Sequence, residues 1–254
     1  MTNIQTALKM RGFFISKENG YLKLGKGSHS RDEVELKEML EKLNIQATFS
    51  DNKIMITSEH IDNQKYEKIL WYPAKNHEAG GNGGWRSWKY FSKGMYGPKI
   101  RTISLETGVA LFVKALSAAG VRTISSCDGH GKKTPVVTFF GHYNACWFMV
   151  LKQHFIQDMK LNYDWKLMKW NNVDPDLIAE SQTGKWELQL VLKDTHQMAE
   201  FLLKNGKGIS ELKRELFEAN RNSTRKLVKE MNKEELISWM EQKLLERIRV
   251  KGGL

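Results

Sequence analysis

The apolar positions of this chain change period several times, and each change predicts an element. Residues 32–43 place Val34, Leu36, Met39, Leu40 and Leu43 along one stripe with charged residues between them, which is helical spacing. Asn44 follows, a residue type that tolerates the left-handed stop at a helix end. Residues 45–50 and 54–57 then read as two strands about a turn at 50–53. Upstream, residues 12–15 and 21–24 are short strand-like pieces around Glu18, Asn19 and Gly20.

The same order returns further along. Residues 105–119 predict a helix with Leu105, Val109, Phe112 and Leu116 in register, Ser104 as N-cap and Glu106 in the first turn. Gly108 lowers the propensity of that turn, and Gly120 ends the helix. Residues 121–126 and 136–140 read as strands. Their connection is too short for a parallel crossover, so they are expected to pair antiparallel. Both segments therefore read helix, left-handed stop, strand, turn, strand, a degenerate repeat.

Beyond residue 141 the signals are mixed. Residues 144–156 predict an apolar helix carrying Phe148, Leu151 and Phe155, whereas residues 161–181 have no assignable period. Residues 186–192 alternate like a half-buried strand. Asp194 is placed to cap a helix running to Lys204 and closed by Gly206. From Ile209 the chain becomes helix-forming and charged. Asn232 and Glu235 have capping-box spacing, and Leu236, Trp239, Met240, Leu244 and Ile248 form the following stripe. The expected fold class is α+β, with antiparallel helix–hairpin units packed with helices and a charged C-terminal helical region. The expected division is a small α+β subdomain at 1–75, an α+β core at 76–206 and a basic helical tail at 207–254.

Composition adds a field and a compartment. A net charge of +11 attracts polyanions, so nucleic acid, DNA or RNA, is the expected partner. No apolar run is long enough to span a membrane, and no signal-peptide pattern opens the chain. Two cysteines make no disulfide framework, so a reducing cytoplasmic location is expected.

Two stretches carry candidate chemistry. Cys127, Asp128 and His130 lie within four positions at the end of a predicted strand. The neighbouring Gly129 and Gly131 let the backbone bring amides close to a ligand. A thiol, a carboxylate and an imidazole can serve nucleophilic catalysis, acid–base catalysis or metal binding. The spacing of Cys127 and His130 with His142 and Cys146 has the look of a small zinc module. A strand of about 15 Å would separate the two pairs, however, which favours a divalent cation held by Asp128 and His130 with ligands from afar.

The second stretch, residues 79–103, holds six glycines, five aromatics, five Lys/Arg residues and no acid. Trp85 and Trp88 can stack on bases, while Arg86, Lys89, Lys93, Lys99 and Arg101 meet phosphates. His77 borders this stretch and is a remote candidate to join the catalytic turn. Together these features point to a nucleic-acid-associated protein, and whether it is also an enzyme stays open at this point. A catalytic version, a hydrolase, would act on a phosphate-containing substrate at the Cys/Asp/His turn. A small-molecule or nucleotide-binding enzyme or sensor with a Gly-rich lid is the alternative, and a protein-interaction module a third.

Overall fold

The computed structural model describes residues 2–50, 53–58, 60–74, 99–169, 174–218, 226 and 229–251. The fold is α+β with antiparallel sheets. The chain begins with β1 (Thr2–Asn3), α1 (Ile4–Arg11), β2 (Ile15–Glu18) and β3 (Tyr21–Leu24). It continues through α2 (Asp32–Lys42), β4 (Ala47–Ser50), β5 (Lys53–Ile56), β6 (His60–Ile61) and α3 (Asn63–Leu70). A 3-10 turn (Thr102–Ser104) leads into α4 (Thr107–Ala118), β7 (Thr123–Cys127) and β8 (Val136–Phe139). Then come α5 (Gly141–Leu151), extended by a π-turn at Lys152–Ile156, and strands β9 (Asp164–Met168) and β10 (Asp176–Glu180). The long α6 (Leu188–Lys213), also ending in a π-turn, and the charged α7 (Lys233–Lys251) complete the order.

The two four-stranded sheets share one topology. Their orders are β2-β3-β5-β4 and β7-β8-β10-β9, with all neighbours antiparallel. Each is built from two helix–hairpin units joined through their second strands. The sequence repeat is therefore one part of a larger pattern, in which two halves each run α-β-β-α-β-β.

The local cause of this pattern is a shared helix stop. Gly12, Asn44 and Gly120 have positive φ (110°, 52° and 75°). At each, the same pair of amide bonds closes the helix: Gly12 to Lys9 O with Phe13 to Leu8 O, Asn44 to Glu41 O with Ile45 to Leu40 O, and Gly120 to Ser117 O with Val121 to Leu116 O. That is the Schellman arrangement, and it turns the chain from helix directly into strand.

Each half has its own apolar cluster. Leu8, Phe13, Leu36, Met39, Leu40 and Ile54 centre the first. Phe112, Phe139, Trp147, Phe148, Trp165 and Met198 centre the second. Full burial of each large ring is worth roughly 2–3 kcal/mol. The C-terminal helix joins the second cluster: Leu236, Met240 and Leu244 are buried, and Trp239 and Ile248 pack beside them. Its capping box forms as expected, with Asn232 N–H donating to Glu235 Oε2 and Glu235 N–H to Asn232 Oδ1.

Several expectations are corrected. Residues 4–11 are helical, and Gly12 closes that helix instead of opening a strand; β2 starts only at Ile15. Residues 186–192 do not form a strand. Helix α6 starts at Leu188, because the buried Val191, Leu192, Thr195, Met198, Ala199 and Leu202 continue the stripe at helical spacing. Asp194 caps no helix. It sits inside α6 and accepts from Asn162 N–H (2.7 Å), Tyr163 N–H (2.9 Å) and Trp165 Nε1 (3.2 Å), anchoring the approach to β9. Gly206 lies within α6 beside Ala118 and does not end the helix. Strands β9 and β10 occupy the segment that has no readable period.

Candidate metal centre at the β7–β8 turn

Cys127 is the last residue of β7 and pairs with Val136 of β8, so the expected antiparallel hairpin is present. Between them the backbone makes a tight turn with Gly129, His130 and Gly131 all at positive φ (78°, 52° and 68°). For His130 this is the sparsely used left-handed region, which costs free energy outside glycine. Asp128 stabilises the turn from within: its Oδ1 accepts the His130 N–H at 3.0 Å.

The other oxygen of Asp128 reaches α4. Oδ2 accepts the Gly108 N–H at 3.2 Å, one of the amides left without a partner at a helix start. A carboxylate there is also favoured by the helix dipole. This corrects the N-cap expectation. The helix starts after Glu106, Ser104 Oγ donates to Arg101 O instead, and the helix amide is satisfied from across the chain. Gly108 makes that approach possible. A Cβ at this position would lie 2.6 Å from Asp128 Cβ. Its helix-weakening glycine is thus required by packing.

Glu106 enters the site from the residue before α4. Its Oε2 accepts the Asp128 N–H at 3.0 Å, and its Oε1 lies 3.4 Å from His130 Nε2. Cys127 Sγ is 3.7 Å from the same Nε2, and Asp128 Oδ1 is 3.5 Å from Nδ1. One ligand atom from each of Glu106, Cys127, Asp128 and His130 lies within 4.8 Å of the others. This cluster is geometrically suited to hold a divalent metal ion. The carboxylates are almost fully buried, while the His130 side chain is 55% exposed, so the imidazole side faces solvent.

No protein-family model matches the chain, and no curated protein or solved structure matches it either. The chemistry of the turn is therefore read from its own geometry.

The electrostatics disfavour a free thiolate. Burial pushes the Cys127 thiol above its ordinary value, and the charges of Glu106 and Asp128 push the same way, against the Gly129 N–H that donates to Sγ at 3.4 Å. Cys146 is in the apolar core, where burial pushes its thiol up to about 12. Among the described residues the metal-capable group contains neither His142 nor Cys146, in keeping with the distance argument against the four-residue zinc module.

A second polar network lies behind the site. Arg11 is buried at the end of α1. Its Nε donates to Tyr72 O (3.0 Å) and its Nη1 to Thr102 O (3.4 Å). Burial pulls it down to about 10, partly offset by the attraction of Asp128, Tyr72, Asp32 and Glu106, so it stays cationic at neutral pH. Lys114 donates to Asp32 Oδ2 (3.3 Å) and Thr102 Oγ1 (2.5 Å). The buried positive charge of Arg11 thus faces Asp128 and Glu106 from the first half of the molecule, while Lys114 of α4 pairs with Asp32.

The other predicted residues are more scattered. His77, Trp85, Arg86, Trp88, Lys89 and Lys93 lie outside the described residues. Lys99 is exposed, and Arg101 forms an ion pair with Glu35. Sequence reasoning missed Glu106 as a site residue, since it stands far from the turn in the chain and reads locally as a first-turn acid. It also passed over Lys132 and Lys133, which are exposed immediately after Gly131.

Proposed function

We propose that this protein is a nucleic-acid-associated hydrolase of the cytoplasm that acts on a phosphate-containing substrate at the β7–β8 turn. The observation that carries the reading is the Glu106, Cys127, Asp128 and His130 cluster, a metal-capable group on an open turn of a strongly basic chain. A bound divalent ion would polarise a phosphoryl oxygen and lower the pKa of a coordinated water, the two things phosphoester hydrolysis requires. The chain's own residues do the rest. Lys132 and Lys133 stand beside the site and draw in phosphate. Asp128, held by the Gly108 and His130 amides, keeps the turn in shape. Lys99, and in the sequence Arg86, Lys89 and Lys93, are further cations that phosphates would meet.

The test is fluorescence anisotropy with labelled single- and double-stranded nucleic acid across a salt series, followed by a cleavage assay with added divalent ion. Binding should weaken steeply with salt. Replacing Lys132 and Lys133 together by Ala should weaken it alike for all sequences and flatten the salt slope by roughly one per lost phosphate contact. No binding at about 50 mM salt, where phosphate contacts are strong, would overturn the nucleic-acid reading. Saturable, salt-insensitive binding of a mononucleotide would instead favour a small-nucleotide enzyme or sensor.

A further inference from the structure

The four residues of the cluster are not equivalent, and the distances separate them. Cys127 Sγ and Glu106 Oε1 both face one nitrogen of His130, Nε2, at 3.7 and 3.4 Å. Asp128 faces the other nitrogen, Nδ1, at 3.5 Å. An ion with tetrahedral coordination, bound at about 2.3 Å to sulfur and about 2.0–2.1 Å to imidazole nitrogen, sets those donors roughly 3.6 Å apart. With a carboxylate oxygen at about 2.0–2.2 Å, the nitrogen and oxygen sit roughly 3.3–3.5 Å apart. The spacings around Nε2 match both values.

Asp128 has different work. Its Oδ2 is engaged by the Gly108 amide and its Oδ1 by the His130 amide, while Oδ1 also looks onto Nδ1. A carboxylate behind a metal-binding histidine fixes the ring orientation and the tautomer, leaving the far nitrogen's lone pair for the ion. The Gly129 N–H directed at Cys127 Sγ is the matching support for a coordinated thiolate.

We propose that Cys127 Sγ, His130 Nε2 and Glu106 Oε1 are three ligands of a zinc-class divalent ion, with Asp128 as the carboxylate that orients the imidazole. The proposal rests on the divalent-ion reading of this turn and names the ligands and the class of metal. Thiolate and imidazole are soft and borderline donors, which select zinc-like ions over magnesium or calcium. Three protein ligands leave a fourth position for water or substrate, as in catalytic sites.

Cobalt(II) alone is the probe, added to the full chain freed of metal by chelator. The expected spectrum has an intense near-ultraviolet sulfur-to-cobalt band and visible bands of tetrahedral strength, saturating at about one equivalent. The sulfur band should vanish in Cys127→Ser, and Glu106→Gln and His130→Gln should lose tight binding. Asp128→Asn should keep the sulfur band while binding about 10–100-fold more weakly. A wild-type spectrum with no sulfur band, or with octahedral strength, overturns the proposal without relying on any variant. So does an Asp128→Asn protein that loses the ion while Glu106→Gln keeps it. Cobalt bound as expected, without nucleic-acid binding or cleavage, would sink the proposed function and leave the site standing. Magnesium-dependent cleavage with no cobalt–sulfur band would do the reverse.

Discussion

The first hairpins of the two halves occupy the same place in the same topology, yet they end differently. In the first half β2 and β3 pair to Glu18 and Tyr21, and the connection is Asn19 and Gly20, both at positive φ. That is the shortest hairpin turn, and the residue types suit it. In the second half β7 and β8 pair to Cys127 and Val136, and residues 128–135 stand between. The sheet does not need those residues, because the first half closes without them. The helix starts differ in parallel. In α1 the amide of Gln5 is capped locally by Asn3 Oδ1 at 2.7 Å. In α4 the amide at the same helical position, Gly108, is capped by Asp128 from the turn. The second half has exchanged a local cap and a minimal turn for a longer turn whose buried carboxylate ties it to the helix. The extra length is bound closely to the scaffold and carries Asp128 and His130 of the metal-capable cluster.

The sharpest way to break this comparison is Gly108→Ala. Its Cβ would collide with Asp128 Cβ, which is no flexible chain end, so the turn must shift. Such overpacking costs about 1–3 kcal/mol, and the displaced Asp128 should take cobalt affinity with it. Gln5→Ala at the matching position of α1 should move neither the unfolding midpoint nor cobalt binding. Urea unfolding and cobalt titration of the two variants check both halves of the statement. Equal effects would mean the two helix starts are equivalent after all.

A smaller effect is expected at the caps themselves. Asp128→Ala should cost about 1–2 kcal/mol as a lost cap and weaken the metal site as well. Asn3→Ala should cost about 1 kcal/mol and leave the site untouched. If Asn3→Ala alters cobalt binding as much as Asp128→Ala does, the site is not confined to the second half.

These residues also show what a sequence discloses. The hairpin, the cysteine–aspartate–histidine turn, the stops at Asn44 and Gly120 and the Asn232 capping box were all legible, because each depends on neighbours within a few positions. Glu106, Gly108 and Asp194 were not. Each has its decisive partner some 20–32 residues away, namely Asp128 for the first two and the approach to β9 for the third. Locally, Gly108 reads as a weak helix residue and Asp194 as a cap, and only tertiary contact gives them another role. Strand β10 was missed because it is buried along most of its length, so the alternation that betrays a strand is faint there. Strand β9 does alternate, with Trp165 and Leu167 inward, but over only five residues.

The smallest predicted effects concern the two thiols. Both are raised above the ordinary range by burial, Cys146 to about 12. At neutral pH, without metal, both should alkylate slowly, with half-buried Cys127 faster than core Cys146. The sign for stability follows from linkage. A thiol raised in the folded state stays protonated where the unfolded chain has lost its proton, so stability is full below the ordinary thiol pKa. It then falls as pH rises toward about 12 for Cys146. Cys146→Ala should flatten that alkaline decline in urea midpoints. A Cys127 that alkylates rapidly at pH 7 would contradict the protonated thiol described here and revive a nucleophilic role.

The central claim is that the longer turn of the second half is a divalent-ion site built on Cys127. Calorimetric titration of zinc into the full, chelator-treated chain tests it most directly, with Cys127→Ala as the partner measurement and circular dichroism to confirm that both are folded. The account predicts about one zinc per wild-type chain and an affinity lowered by more than about 100-fold in the variant, beyond what loss of an outer-shell contact produces. Equal zinc binding by the two folded proteins, or no binding by the wild type, would contradict it.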